Sequence, residues 1–194
     1  MQETMKALHD LVLSGKVRYI GASSMRTWQF AYYNNIADKL RLTRFVSMQS
    51  QYSLLYREDE REMNAYCDFA GIGIIPYGSL ASGLLTRSVT AQKTRRSDST
   101  KGVPFGQEWE RGIVRRVEAI AQERQWTMSQ VSLAWIAQKV TSPIVGFTSV
   151  RSFHTRVIFR LTLRRSSTWK KRSFRGTSYQ TKRSTCLRSP INLS

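Results

Sequence analysis

Apolar residues recur at helical spacing through 2–14, where Met5, Leu8, Leu11 and Val12 share one face and Gly15 follows as a stop. Val17 to Ser23 then reads as a short strand with small residues at its end. Helical spacing returns over 27–39 through Trp28, Tyr32, Ile36 and Ala37, and Phe45-Val46-Ser47-Met48-Gln49 is a second strand. The charged stretch 57–69 keeps Met63, Tyr66 and Phe69 on one helical face. Gly73-Ile74-Ile75-Pro76-Tyr77 is an apolar strand suited to burial on both faces. Residues 86–107 are polar and turn-rich and predict a long loop. Two helices follow over 108–139, the second opened by Thr127-Met128-Ser129-Gln130, and Pro143 to Phe147 is a fourth strand. Helices alternating with short apolar strands predict βα units around a parallel sheet. Four strands allow a small doubly wound sheet or half of an eight-stranded barrel; a complete barrel needs about 250 residues, and this chain has 194.

Charge divides the chain unevenly. Of 31 Lys and Arg residues, twelve fall in residues 151–194, which hold none of the 13 Asp and Glu, and the net charge is +18. The break coincides with the end of the strand–helix pattern, so two parts are expected: an ordered region, 1–150, and a basic tail, 151–194, disordered or read out of frame. At 41% hydrophobic the first part can bury a core. The start reads as a helix already under way and has no secretory apolar region. No run approaches the roughly eighteen apolar residues of a membrane span. Cys67 and Cys186 match no metal or redox spacing, which predicts reduced thiols and a cytoplasmic protein with no membrane partner.

Candidate chemistry gathers at the ends of the predicted strands. No G-x-G-x-x-G follows a strand and no phosphate-loop motif is present. The two histidines, His9 in the first helix and His154 in the tail, lack a nucleophile or metal-ligand partner at useful spacing. By contrast Ser23 and Ser24 end the first strand, Gln49 and Gln51 the second, Tyr77, Gly78 and Ser79 the third, and Thr148 and Ser149 the fourth. Ligands of parallel α/β folds sit outside the carboxyl ends of the strands. Neutral donors and acceptors suit an amide and a sugar there, and an aromatic face suits a flat ring. Such residues also begin ordinary loops, and both readings stand on the residues alone.

Three segments, Gly15 to Ser24, Phe45 to Glu58 and Ile74 to Leu85, resemble aldo-keto reductases, nearest to the fungal and bacterial aryl-alcohol-dehydrogenase-like branch, some members of which serve secondary metabolism. Ser129 to Ile136 and Pro143 to Val150 continue the resemblance in order. It implies an α/β fold of the parallel (β/α)8 TIM-barrel family, here about four βα units of the C-terminal half only, with an irregular basic tail. The implied activity is NADPH-dependent reduction of an aldehyde or ketone to an alcohol, with a small carbonyl compound as substrate. By position, Ser23, Ser24 and Gln49 match the residues that hold the nicotinamide carboxamide, and Tyr77 the aromatic against its ring. Gly78, Ser79, Leu80 and Gly83 match the pyrophosphate loop, and Thr148 and Ser149 the approach to the adenosine 2′-phosphate. Lys93, Arg95 and Arg96 stand in a loop that could close over the cofactor or simply be a solvated charge run. Many relatives have Trp-Ser-Pro-Leu where this chain has Tyr77-Gly78-Ser79-Leu80, and Arg in place of Ser82.

The family's Asp, Tyr, Lys and His proton-transfer group comes from its first four strands, which would lie upstream of Met1, so the enzyme is expected to be incomplete in this chain and the chain alone inactive, with no catalytic residue assigned. Tyr19, Tyr52 and Tyr56 lack the matching partners. The expected alternative is a non-catalytic remnant or binding subunit that holds NADP(H) or pairs with a second copy or a complementing half-barrel. A third reading is nonspecific nucleic-acid binding by the tail, since basic arms neutralise phosphates. Residues 168–182 can also be read one nucleotide out of register, with permitted synonymous codons, as the acidic peptide YLEEAFVPRDIIPNE. That peptide resembles the family's acidic C-terminal end, which predicts a frame change near codon 150.

Overall fold

The computed structural model describes residues 1–90 and 107–147. Helix α1 (Gln2–Leu13) leads to strand β1 (Ile20–Ser23), helix α2 (Thr27–Leu40) and strand β2 (Phe45–Gln49). A 3-10 turn (Glu58–Arg61), helix α3 (Met63–Ala70) and strand β3 (Gly73–Ile74) follow. After a second 3-10 segment (Ala81–Thr86) come helices α4 (Glu108–Glu123) and α5 (Met128–Ala137). The strands form one parallel sheet in the order β1-β2-β3.

The sheet has two unlike faces because side chains alternate along each strand. Ile20 and Ala22, Met48 and Ser50, and Ile74 and Pro76 are buried. Gly21 and Ser23, Ser47 and Gln49, and Gly73, Ile75 and Tyr77 are partly or fully exposed. The buried side belongs to a core that includes Met5, Phe30, Phe45, Met48 and Cys67. Phe30 stacks on Phe45 with ring centroids 5.9 Å apart and meets Tyr66 edge-on. Burying each such side chain contributes about 1.5–3 kcal/mol. The other face is open and carries mainly small or polar groups, with Ile75 the apolar exception among those named.

Sequence spacing and local structure agree on the place of α1, α2 and β2, but β1 begins at Ile20 and not at Val17, and in α2 Trp28 and Tyr32 are exposed while Phe30, Ile36 and Ala37 are buried. Over 57–69 they differ. The backbone breaks at Glu62 (φ −148°, ψ −53°), so a 3-10 turn precedes α3. Arg57–Glu60 and Arg61–Glu58 ion pairs tighten that turn at i,i+3. Gly71 then ends α3 at φ 67°, a left-handed cap that a side chain would strain.

The expected barrel-type fold is corrected. Among the described residues there is an open three-stranded sheet, lying in the N-terminal region of the chain, and neither a closed (β/α)8 barrel nor a fourth strand. The reason lies in the backbone of 141–147. Thr141 and Ser142 N–H groups both donate to the Ile74 oxygen, at 3.0 and 3.2 Å, and Ile144 N–H donates to the Pro76 oxygen at 2.8 Å. Pro143 and Pro76 have no N–H to return a bond. The Ile144 carbonyl accepts from Ser79 Oγ at 3.2 Å. The segment is therefore stitched to the sheet without a ladder. Strand β3 is also shorter than its apolar run, and with one face open Ile75 is only partly covered.

Candidate functional site at the strand ends

Parallel pairing in register brings the strand ends together. Gly21 faces Ser47, Ala22 faces Met48 and Ser23 faces Gln49, and beyond β3 an isolated parallel bridge joins Gln51 to Tyr77. Ser23 Oγ donates to the Gln49 carbonyl oxygen at 2.7 Å, and Ser24 N–H donates to the same oxygen at 3.0 Å. Ser24 adopts φ 41°, so its hydroxyl turns across the strand ends. It lies 3.3 Å from the Tyr77 hydroxyl and 3.4 Å from Ser23 Oγ. Tyr77 is 38% exposed. Ser23, Ser24, Gln49 and Tyr77 thus form one rim.

The loop after Tyr77 turns repeatedly through positive φ: Gly78 at 68°, Ala81 at 48°, Ser82 at 54° and Gly83 at 97°. Ala81 N–H donates to the Gly78 oxygen (2.7 Å) and Gly83 N–H to the Leu80 oxygen (2.9 Å). Ser79 is buried, with its hydroxyl directed at the Pro76 and Ile144 carbonyls, and Leu80 packs in the core. This loop therefore joins the rim through backbone and packing, with Ser79 and Leu80 facing inward. Thr148, Ser149, Lys93, Arg95, Arg96, His154 and the basic tail lie outside the described residues.

The groups on the rim are uncharged: two hydroxyls, the Gln49 backbone carbonyl and a phenol. Such a set fits a neutral amide beside a flat ring, as in a nicotinamide, better than a metal or a free anion. Among the described residues no group of three or more His, Cys, Asp or Glu side chains could hold a metal ion. No described helix is long and apolar enough to cross a membrane. His9 is tied to Thr43, whose N–H donates to Nδ1 at 3.1 Å.

A second cluster escapes notice in the sequence. The Tyr52 hydroxyl donates to Glu60 Oε1, and Arg57 grips both Glu60 oxygens, Nε to Oε1 at 3.0 Å and Nη2 to Oε2 at 2.5 Å. Lys139 Nζ stands 3.6 Å from Glu60 Oε1. Trp135 packs on Tyr52 at 5.5 Å, with Arg57 and Lys139 over its ring at 5.4 and 5.3 Å. Burial, then the bond to Glu60, push the Tyr52 phenol well above its ordinary range. Burial alone would raise the Glu60 carboxyl, but hydrogen bonds from Arg57 and Tyr52 outweigh it and hold the group low. With its proton committed to Glu60 and almost no exposure, Tyr52 is unsuited to act as an acid toward a substrate. The local signal was only Tyr52, Arg57 and Glu60 on neighbouring turns; Lys139 and Trp135 join from α5 and the residues after it.

The sequence matches the Aldo/keto reductase family over residues 1–157. Aldo-keto reductase dtxS3 of Metarhizium robertsii is 52% identical over 153 residues, a stretch covering 77% of this chain and 41% of that protein. Aldo-keto reductase AFTS1 of Alternaria alternata is 48% identical over 155 residues, covering 77% and 41%. Versiconal hemiacetal acetate reductase of Aspergillus parasiticus is 40% identical over 151 residues, covering 75% and 44%. The chain thus spans less than half the length of these relatives. The match begins at residue 1, so the family-like part is the N-terminal region of this chain, and the expectation of a C-terminal half only is corrected.

Proposed function

The chain belongs to the aldo/keto reductase family, and on that premise we propose an NADPH-dependent oxidoreductase activity that reduces an aldehyde or ketone to an alcohol. The observation that carries this reading is the uncharged rim, where Ser23 and Ser24 share the Gln49 carbonyl and Ser24 meets the Tyr77 hydroxyl. In this reading Ser23, Ser24 and the Gln49 side chain hold the nicotinamide carboxamide and Tyr77 lies against the ring. The backbone of Gly78, Ser79, Leu80 and Gly83 approaches the pyrophosphate, and Thr148 and Ser149 the adenosine end. When bound, NADPH supplies the hydride for the carbonyl carbon. The rim's own work is to hold the ring in one orientation and keep one face toward the substrate. Reductases named among the relatives support a carbonyl substrate.

A second reading is a subunit that holds NADP(H) while another chain supplies the proton donor. It is favoured by the commitment of the buried Tyr52 to Glu60 and of His9 to Thr43. Titration of the full chain with NADPH, followed by reduced-nicotinamide fluorescence, tests the shared premise; absence of saturable binding would overturn both. Aldehyde turnover by the purified chain separates them, since activity without a partner excludes the second reading.

A further inference from the structure

Tyr77 is exposed at the rim, yet its backbone is held from one side by a segment that runs into the buried cluster. Tyr77 N–H donates to the Ser50 oxygen at 3.0 Å, and the Tyr77 oxygen accepts from Tyr52 N–H at 3.2 Å. Gln51 completes the bridge between these two bonds. The position of Tyr77 therefore follows residues 50–52. What fixes those residues is the Tyr52 side chain, 1% exposed, clamped at its hydroxyl by Glu60 and at its ring by Trp135. Glu60 is in turn held by Arg57 from the same turn and Lys139 beyond α5. A continuous path of hydrogen bonds and packed rings joins the residues after α5 to the phenol at the strand ends.

We propose that Glu60 and Tyr52 are positioning residues for the cofactor ring: the Glu60–Tyr52 clamp sets the height and tilt of Tyr77 against the nicotinamide. This rests on the cofactor reading above and adds two residues that touch neither cofactor nor substrate. Loss of either clamp atom leaves the core packing of Tyr52 in place but frees the 50–52 segment to shift. Tyr77 then orders on binding instead of beforehand, and affinity falls by the cost of that ordering. The effect should pass through Tyr77 and nowhere else.

A double-mutant cycle tests this, read by NADPH titration of the full chain. Glu60→Ala should weaken NADPH binding about tenfold in the otherwise unchanged chain and have no further effect in a Tyr77→Ala background. Tyr52→Phe should repeat the pattern, and far-UV circular dichroism identifies any variant that has lost its fold. Unchanged affinity in the folded Glu60→Ala and Tyr52→Phe chains overturns the proposal. So does an equal loss in both backgrounds, which would mark a general structural role. Failure of the unsubstituted chain to bind NADPH is a separate result, and it overturns the cofactor reading together with the clamp.

Discussion

Ser24 Oγ and the Tyr77 hydroxyl lie 3.3 Å apart, joining the ends of the first and third strand regions across β2. Ser24 reaches that position through a left-handed backbone, φ 41°, and its N–H is anchored on Gln49. If this pair holds the nicotinamide, Tyr77→Ala should lower NADPH affinity about tenfold by removing the aromatic face. Tyr77→Phe, which keeps the ring and loses one exposed hydrogen bond, should lower it far less. Fluorescence titration of the two variants checks the order; equal losses would assign the effect to the hydroxyl.

Close packing on the open face of the sheet makes a different prediction. A methyl group at Gly21 would lie 2.3 Å from Ser47 Oγ and 3.2 Å from the Ser47 backbone oxygen. Gly21→Ala should therefore destabilise the chain by about 1–3 kcal/mol through overpacking. Adding Ser47→Ala removes the nearer atom and should recover part of the loss. Thermal or urea unfolding of both variants measures this, and a Gly21→Ala chain as stable as the original would show that Ser47 simply rotates away.

The capping box at Thr127 illustrates what local sequence can specify. Thr127 Oγ1 accepts from Gln130 N–H at 3.2 Å, while Gln130 Oε1 accepts from Thr127 N–H at 2.7 Å. Thr127→Ala should cost about 1 kcal/mol, read as a lowered urea midpoint at unchanged slope. Thr127 to Gln130 was legible as a helix start because all its partners lie within one turn. Strands β1 and β2 were legible because their alternation meets a helix-covered core. The fourth strand was not. Its apolar composition matched a strand, but two prolines without N–H groups and the diversion of the Ile144 carbonyl to Ser79 prevent a ladder. The rim residues could be placed by their position after each strand, whereas the Ser24–Tyr77 contact depends on sheet register. The Glu60 cluster was invisible for a similar reason: Trp135 and Lys139 reach it only through the tertiary packing that sets Trp135 of α5 against Tyr52.

Glu60 also makes acid stability informative. Its folded carboxyl is held below the ordinary range, so the unfolded chain binds the proton more readily. The stabilisation is therefore fully present above the unfolded value of about 4.3 and is lost as pH falls through the lower folded value. In Glu60→Gln this part of the pH dependence should vanish. The stability gap between the two chains, largest near neutrality, should narrow steadily in acid. Urea unfolding across the acid range checks the sign, and a gap that widens on acidification would contradict the assigned hydrogen bonds.

Cys67 offers a test of the core itself. It is fully buried in α3, and burial, then the charges of Asp68 and Asp59, push its thiol up to about 11. Near neutral pH the thiolate fraction should be about three hundredfold below that of a free cysteine, and alkylation proceeds through the thiolate. Iodoacetamide should accordingly label Cys67 only slowly in the native chain and at the ordinary rate in urea, with peptide mass separating it from Cys186. Stability should also decline as pH rises past the unfolded thiol's value of about 8.5, since only the unfolded chain then releases the proton. Rapid native labelling at Cys67 would show that α3 opens from the sheet, and with it the turn that carries Glu60.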